Sequence, residues 1–305
     1  MAKVSRLNLA EIKKRTIKIW NEVAPRYHHD WASHSIGPFK STSKLLGLAN
    51  IKRGSVVLDL ACGTGIVTKM LSSKVGLQGL VVGVDISSGA LKIAKRWNFG
   101  RKNIEFVNAD IEKLSFKEKF DLVTCQYGLM FLPRPQAALQ NIRRMLKNGG
   151  TIAVVVHGGK NSVPYFSCIR DAILKFVPDF IPSGTPNFDR FGTKDSLKKE
   201  FAKAGYKKIR IHELNFFYNA GRFEDYWNDY FAYMAKPLKE KLKPLTTAQR
   251  KAMKEIARKC AQKHTKKGKV IFPWKVLVLL ANKYKLTLHS KPKYYNHLFA
   301  ALKNF

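Results

Sequence analysis

The feature that most constrains this chain is the run Val56-Val57-Leu58-Asp59-Leu60 followed at once by Ala61-Cys62-Gly63-Thr64-Gly65. A short apolar, β-branched segment ending in a glycine-rich turn predicts a buried parallel strand that passes straight into a helix near Ile66–Leu71. Glycine in such a turn lacks the Cβ that would obstruct a ligand and accepts positive φ, while the helix that follows aims free N–H groups at the same place. A nicotinamide-type turn needs a third glycine, and Thr68 stands in that slot. Asp59 at the strand end would repel a pyrophosphate. It suits a ligand with positive charge, such as an ammonium or a sulfonium.

The same alternation repeats downstream. Strand-like runs at Leu80–Val84, Ile104–Asn108, Phe120–Thr124 and Thr151–Val156 alternate with helical patterns at Ser88–Trp97 and Pro135–Leu146, the second closed by Asn148-Gly149-Gly150. Repeated strand–helix–strand units predict a Rossmann-like α/β fold with a doubly wound, mostly parallel sheet. Lys207–Leu214 and Val276–Leu280 bring the expected sheet to seven strands. Ligands of open α/β sheets lie at the carboxyl ends of the strands, and acids stand there in succession: Asp59, Asp85 and Asp110. Asp85 is placed to accept hydrogen bonds from both hydroxyls of a ribose, or alternatively to cap the helix near Ser88. Asp110 is placed to accept from an adenine amino group while Ile111 packs on the ring.

Residues 1–50 read as a helical N-terminal extension, in which Ile12, Ile17, Ile19, Trp20 and Val23 form an apolar stripe that Pro25 interrupts. Residues 51–158 form the ligand-binding core, 159–283 complete the sheet and insert a helical substrate cap, and 284–305 are a tail without clear period. Pro164, Pro178, Pro182 and Pro186, with the turn Ser183-Gly184, mark 159–192 as a looser segment ahead of a helix at Thr193–Ala204. Phe223–Lys259 reads as mostly helical with a break at Pro244 and Thr247 as a cap. Tyr165, Phe166, Phe188, Phe217, Tyr218, Tyr226, Trp227 and Tyr230 suit an apolar pocket, although ordinary cap core accounts for most of them.

In order and spacing, these motifs resemble the class I S-adenosylmethionine-dependent methyltransferases, and within them the small-molecule type that includes the ubiquinone/menaquinone C-methyltransferases. The resemblance is carried by Val57–Gly65, Gly83–Ser87, Asn108–Leu114, Gln126–Pro133 and Met145–Gly150, and more loosely by Ile19–Tyr27, Phe223–Trp227 and Leu245–Arg250. It implies S-adenosyl-L-methionine as cofactor and a small-molecule methyl acceptor. It also implies that Asp59, Gly63 and Gly65 surround the methionine part, Asp85 the ribose, and Asp110 and Ile111 the adenine. Gln126 and Tyr127 would then stand beside the reacting methyl and Tyr27 would reach the cofactor, with Ala61, Cys62 and Ile86 in the same binding set. The chain departs from the pattern at His28 and His29, where many relatives place an acid, and at Arg134, where Asp is common. Those departures leave the substrate contacts open.

Methyl transfer from a sulfonium is an in-line displacement with an activated leaving group, so the protein positions, excludes water and, for O or N acceptors, removes a proton. Tyr27, His28, His29 and His157 are the candidate bases, each more often a polar liner than a base. No Asp/Asn-Pro-Pro-Tyr/Phe follows the fourth strand, which disfavours amino methylation of a flipped base. Cys125 ends that strand without the preceding proline of cytosine-C5 enzymes and reads as a small buried residue.

Charge supplies the competing readings. Lys and Arg number 56 against 21 Asp and Glu, a formal +35, and that field attracts nucleic acid or an anionic membrane surface. An RNA methyltransferase or RNA-binding protein is therefore the second reading, and a non-catalytic cofactor-binding module the third. The excess is spread along the chain, which favours the first. Its densest stretch, Lys236–Lys269, holds thirteen basic residues against Glu240 and Glu255, with Lys251, Lys254 and Arg258 on one helical face that reads as solvated or, alternatively, as anion-binding. Cys62, Cys125, Cys168 and Cys260 lie far apart without metal-ligand spacing, so neither a zinc site nor a disulfide framework is expected, and the pattern fits a reducing, cytoplasmic setting. Val276–Ala281 is too short to span a bilayer, and Met1–Arg6 lacks the apolar core of a signal peptide. No oligomeric state follows from the sequence.

Overall fold

The computed structural model describes residues 8–182, 184–187 and 189–283. The chain enters through α1 (Leu9–Tyr27), a π-helical turn over His28–Ala32, and α2 (Thr42–Leu48). It then lays down β1 (Val56–Leu60), α3 (Ile66–Val75), β2 (Leu80–Asp85), α4 (Ser88–Trp97), β3 (Ile104–Asn108), β4 (Phe120–Gln126), α5 (Pro135–Met145) and β5 (Leu146–His157). The remainder comprises α6 (Pro164–Leu174), α7 (Lys194–Lys203), β6 (Lys207–Asn219), α8 (Phe223–Ala232), α9 (Lys236–Glu240), α10 (Thr247–Gln262), β7 (Thr265–Lys266) and β8 (Lys269–Asn282).

The sheet runs β3-β2-β1-β4-β5-β8-β6, with β7 a two-residue ribbon on β8. Pairings from β3 to β5 are parallel, and β8 enters antiparallel to both β5 and β6. The chain reverses direction across the sheet between β1 and β4, so a crevice opens beyond the carboxyl ends of those strands. This is the expected Rossmann-like architecture. The strands that line the crevice are rigid because they are dry: from Val57 to Leu60 and from Val81 to Asp85 every residue is buried.

Several local expectations are corrected. Pro25 does not end the first helix, which continues to Tyr27 and passes into the π-helical turn; the proline forgoes only the one bond its N–H would have donated a turn back. Helix α5 stops at Met145 and Asn148-Gly149-Gly150 lies inside β5, where Gly149 adopts φ 78° and donates to the Lys283 carbonyl. The proline-marked segment contains a well-buried helix, α6, with Pro164 at its start, where a missing N–H costs nothing. Thr246 rather than Thr247 caps α10, accepting from the Gln249 N–H. Strands β6 and β8 extend past the expected Leu214 and Leu280 because they pair with each other from Lys207 opposite Asn282 to Asn219 opposite Ile271. Ser183 and Phe188 of the cap, like residues 1–7 and 284–305, lie outside the described residues, and Phe217 is solvent-exposed rather than in a pocket.

Two further expectations fail for long-range reasons. Cys168 on α6 and Cys260 on α10 form a disulfide, their Cα atoms 5.4 Å apart across 92 residues of chain. Spacing along the sequence carries no sign of this, because two helices remote in sequence pack side by side. The α10 face is not merely solvated: Lys254 and Arg258 both pair with Glu224 of α8, at 2.6 and 2.7 Å, while Lys251 is exposed.

Candidate active site

The turn after β1 is bent by three residues at positive φ, namely Ala61 (50°), Gly63 (55°) and Gly65 (81°). Their requirements differ. A Cβ on Gly65 would sit 2.8 Å from Asn98 and 3.1 Å from Phe106, so glycine there lets α3 start against α4 and β3. A Cβ on Gly63 would meet no protein atom within 4 Å and would project into open space. Asp85, at the end of β2, braces this turn: one carboxylate oxygen accepts the Gly63 N–H at 2.8 Å and the other the Ser87 N–H at 2.8 Å. Ser87, not Asp85, is the cap of α4. A carboxylate offers about four lone-pair sites, so each Asp85 oxygen retains capacity for a ligand.

Asp59 is fully buried between two hydroxyls, Thr68 at 2.6 Å and Thr124 at 2.7 Å. Burial pushes its pKa up to about 6 against the opposing pull of those donors, and the charge of Asp85 adds to the rise. A buried carboxylate whose charge is poorly solvated is a receptor for a cationic group, because a nearby positive charge offsets the desolvation of the ionised form. Asp110, by contrast, is already paired. Lys13 of α1 lies 2.5 Å from Asp110 and 2.6 Å from Glu112, so the N-terminal helix bridges the two acids after β3. Asn21 anchors the same helix by accepting from the Ser87 hydroxyl and the Gly89 N–H.

The far side of the cleft is aromatic. Tyr127, at φ 60°, turns its ring onto His157, with centroids 4.5 Å apart, and its hydroxyl donates to the Pro38 carbonyl at 2.9 Å. Gly128 follows because a Cβ there would lie 2.4 Å from that of Ala61, so the turns after β1 and β4 touch. Gln126 exchanges hydrogen bonds with Thr42. Trp20 and Tyr27 of α1 pack edge to face at 5.7 Å, and Phe131 lies 5.9 Å from Trp20.

One cleft thus collects Tyr27, Asp59, Ala61, Cys62, Gly63, Asp85, Ile86, Asp110, Ile111, Gln126 and Tyr127. Gly65 lies behind its wall. A second cavity of about 620 Å³ adjoins it, mostly apolar, and the two share Trp20, Tyr27, Tyr127 and Phe131. His157 lines only the second cavity. His28 lines neither; its Nδ1 lies 2.8 Å from the Thr64 hydroxyl in the glycine turn. His29 is at the surface, 2.5 Å from Asp30. Burial drives the Tyr27 and Tyr127 pKa values well up and that of His157 down to about 3. The Cys125 thiol is pushed up to about 12 and Cys62 also rises, so both are inert.

Sequence reasoning missed Lys13, Thr124, Ser41 and Pro38 at this site. Only α1 folding back over the strand ends brings Lys13 to Asp110, and nothing in a linear pattern predicts that.

Residues 57–150 match a family model described as a methyltransferase domain. The demethylmenaquinone methyltransferase of Staphylococcus saprophyticus is 33% identical over 180 residues, which is 54% of this chain and 76% of that protein. Its Staphylococcus epidermidis counterpart is 29% identical over 218 residues, 67% of this chain and 85% of the other. Among solved structures, the YcgJ protein of Bacillus subtilis superposes with a TM-score of 0.55 at 17% identity, covering 81% of this chain and 99% of that one. Phosphoethanolamine N-methyltransferase 2 of Haemonchus contortus, determined with S-adenosylhomocysteine, gives 0.55 at 15% identity over 92% of this chain and 61% of its own. These likenesses establish a methyltransferase fold. The sequence relatives settle the family: the chain belongs to the class I S-adenosylmethionine-dependent methyltransferases.

Proposed function

We propose that the enzyme transfers a methyl group to a small, largely apolar acceptor, quinone-like in its aromatic breadth, held in the 620 Å³ cavity beside the glycine-turn cleft. The observation that carries this reading is the shared wall of Trp20, Tyr27, Tyr127 and Phe131 between the two spaces. A volume of this size lined by aromatics is that of a small-molecule site. The naming of the Staphylococcus relatives as demethylmenaquinone methyltransferases agrees with it.

S-adenosylmethionine, when bound, supplies an activated methyl group on a sulfonium. The residues fit it: Gly63 leaves room where a side chain would intrude, Asp85 has acceptor capacity for ribose hydroxyls, and Asp59 awaits a positive charge. Asp110, released from Lys13 or shared with it, and Ile111 would receive the adenine. The aromatic wall would orient the acceptor and exclude water, which sharpens an in-line approach. Neither that wall nor His157 in the second cavity supplies a strong base. The Tyr127 hydroxyl is engaged, both tyrosines resist ionisation, and a His157 at about 3 is neutral and weakly basic near pH 7. The acceptor this arrangement serves best is one already nucleophilic, such as a reduced quinone that ionises readily.

Incubating the purified enzyme with methyl-labelled cofactor, a panel of quinols and a total RNA sample tests the reading. The expected product is a labelled small molecule. Label appearing in RNA alone would overturn it.

A further inference from the structure

Helix α1 presents to the large cavity a stripe of residues four apart, Arg15, Ile19, Val23 and Tyr27. Tyr27 belongs to the wall shared with the cofactor cleft, and Arg15 lies about 18 Å from it along the helix axis. The stripe is therefore apolar in the middle and cationic at the end remote from the methyl donor.

The other charges around this cavity are matched. Asp171 lies 3.2 Å from Lys160 and 3.1 Å from Arg170, and Arg170 also lies 3.9 Å from Asp189. Asp179 is the acid whose charge acts on Arg15, but it is already held by Lys241 at 2.7 Å. Arg15 makes no ion pair or hydrogen bond to any described residue. Burial depresses its pKa, so the guanidinium is partly stripped of water without a partner. A partly desolvated cation at the end of an apolar cavity is what an acidic group on the occupant would satisfy.

We propose that the methyl acceptor is an amphiphile bearing a carboxylate, sulfonate or phosphate that pairs with Arg15, at the end opposite its methyl-accepting atom. The inference rests on the large cavity being the acceptor site. It makes Arg15 a specificity-determining residue: a neutral aromatic fits the cavity, while an acidic one is selected.

Two fluorescent probes of one shape separate these statements: anilinonaphthalene sulfonate and its neutral counterpart N-phenyl-1-naphthylamine. Titrated into the full-length enzyme at physiological salt, the sulfonate should bind at least about tenfold more tightly than the neutral amine. Arg15→Gln should abolish that preference and leave the neutral probe within about twofold, and Arg15→Lys should restore part of it, since the charge remains while the two-pronged geometry is lost. Lys251→Gln, which alters an exposed cation elsewhere, should change neither and so controls for the diffuse charge of the protein. Equal affinities for the two probes in the wild type, or a preference that survives Arg15→Gln, would overturn the proposal. Failure of the neutral amine to bind at all would instead sink the reading of the cavity as an apolar acceptor site.

Discussion

At the scale of single residues the site is tuned by burial. Asp59 has a folded-state pKa of about 6, above its unfolded value, so in the ligand-free enzyme it favours the fold below the unfolded pKa, and that contribution is lost as pH rises through about 6. Cofactor binding runs the opposite way, because a cationic ligand selects the ionised form. Affinity for S-adenosylmethionine should be flat above about pH 7 and weaken toward tenfold per unit below about 6, and Asp59→Asn should bind weakly with that slope removed. Calorimetry across this range checks it; a wild-type affinity that is level down to pH 5 would contradict the assignment. Asp59, Asp85, Asp110 and the glycine turn were legible in the sequence because each ends a strand whose apolar run is unmistakable. The pairing of Asp110 with Lys13 and the enclosure of Asp59 by Thr68 and Thr124 were not, since those partners come from other elements.

At the scale of elements, the first five strands and their crossovers followed from local patterns, whereas the cap did not. Pro25 and Pro164 read as breaks in sequence. One lies inside a helix and the other begins one, which only the surrounding backbone hydrogen bonds decide. Likewise the basic face of α10 reads as solvent-facing until α8 delivers Glu224 to it. Reversing Lys254 and Arg258 to Glu would place three carboxylates together between α8 and α10. Exposed pairs contribute roughly 0.2–1 kcal/mol each, so the double variant should melt a few degrees lower, while Lys251→Glu alone should not. Because these residues line neither cavity, cofactor affinity should be unchanged in both. A melting temperature unaffected by the double reversal would show that the α8–α10 pairs contribute nothing.

At the scale of the whole molecule, two spaces meet across a wall supplied by three regions of the chain: α1 brings Trp20 and Tyr27, the end of β4 brings Tyr127, and the turn after it brings Phe131. A doubly wound, mostly parallel sheet with its ligand crevice at the strand ends was predictable from the rhythm of strands and helices. The insertion of β8 between β5 and β6, the Cys168–Cys260 bond and the roofing of the cleft by α1 are products of long-range packing, invisible to any short window. The cleft at the glycine turn is the proposed cofactor site, and Gly63 is where a substitution probes it with least disturbance to neighbouring protein atoms. Gly63→Val adds a side chain whose Cβ meets no protein atom within 4 Å, at the cost of strain at positive φ. Isothermal titration of S-adenosylmethionine should show one binding event per wild-type chain and none in the folded variant, with the fold checked by circular dichroism. A folded Gly63→Val enzyme that binds the cofactor as tightly as the wild type would contradict the account.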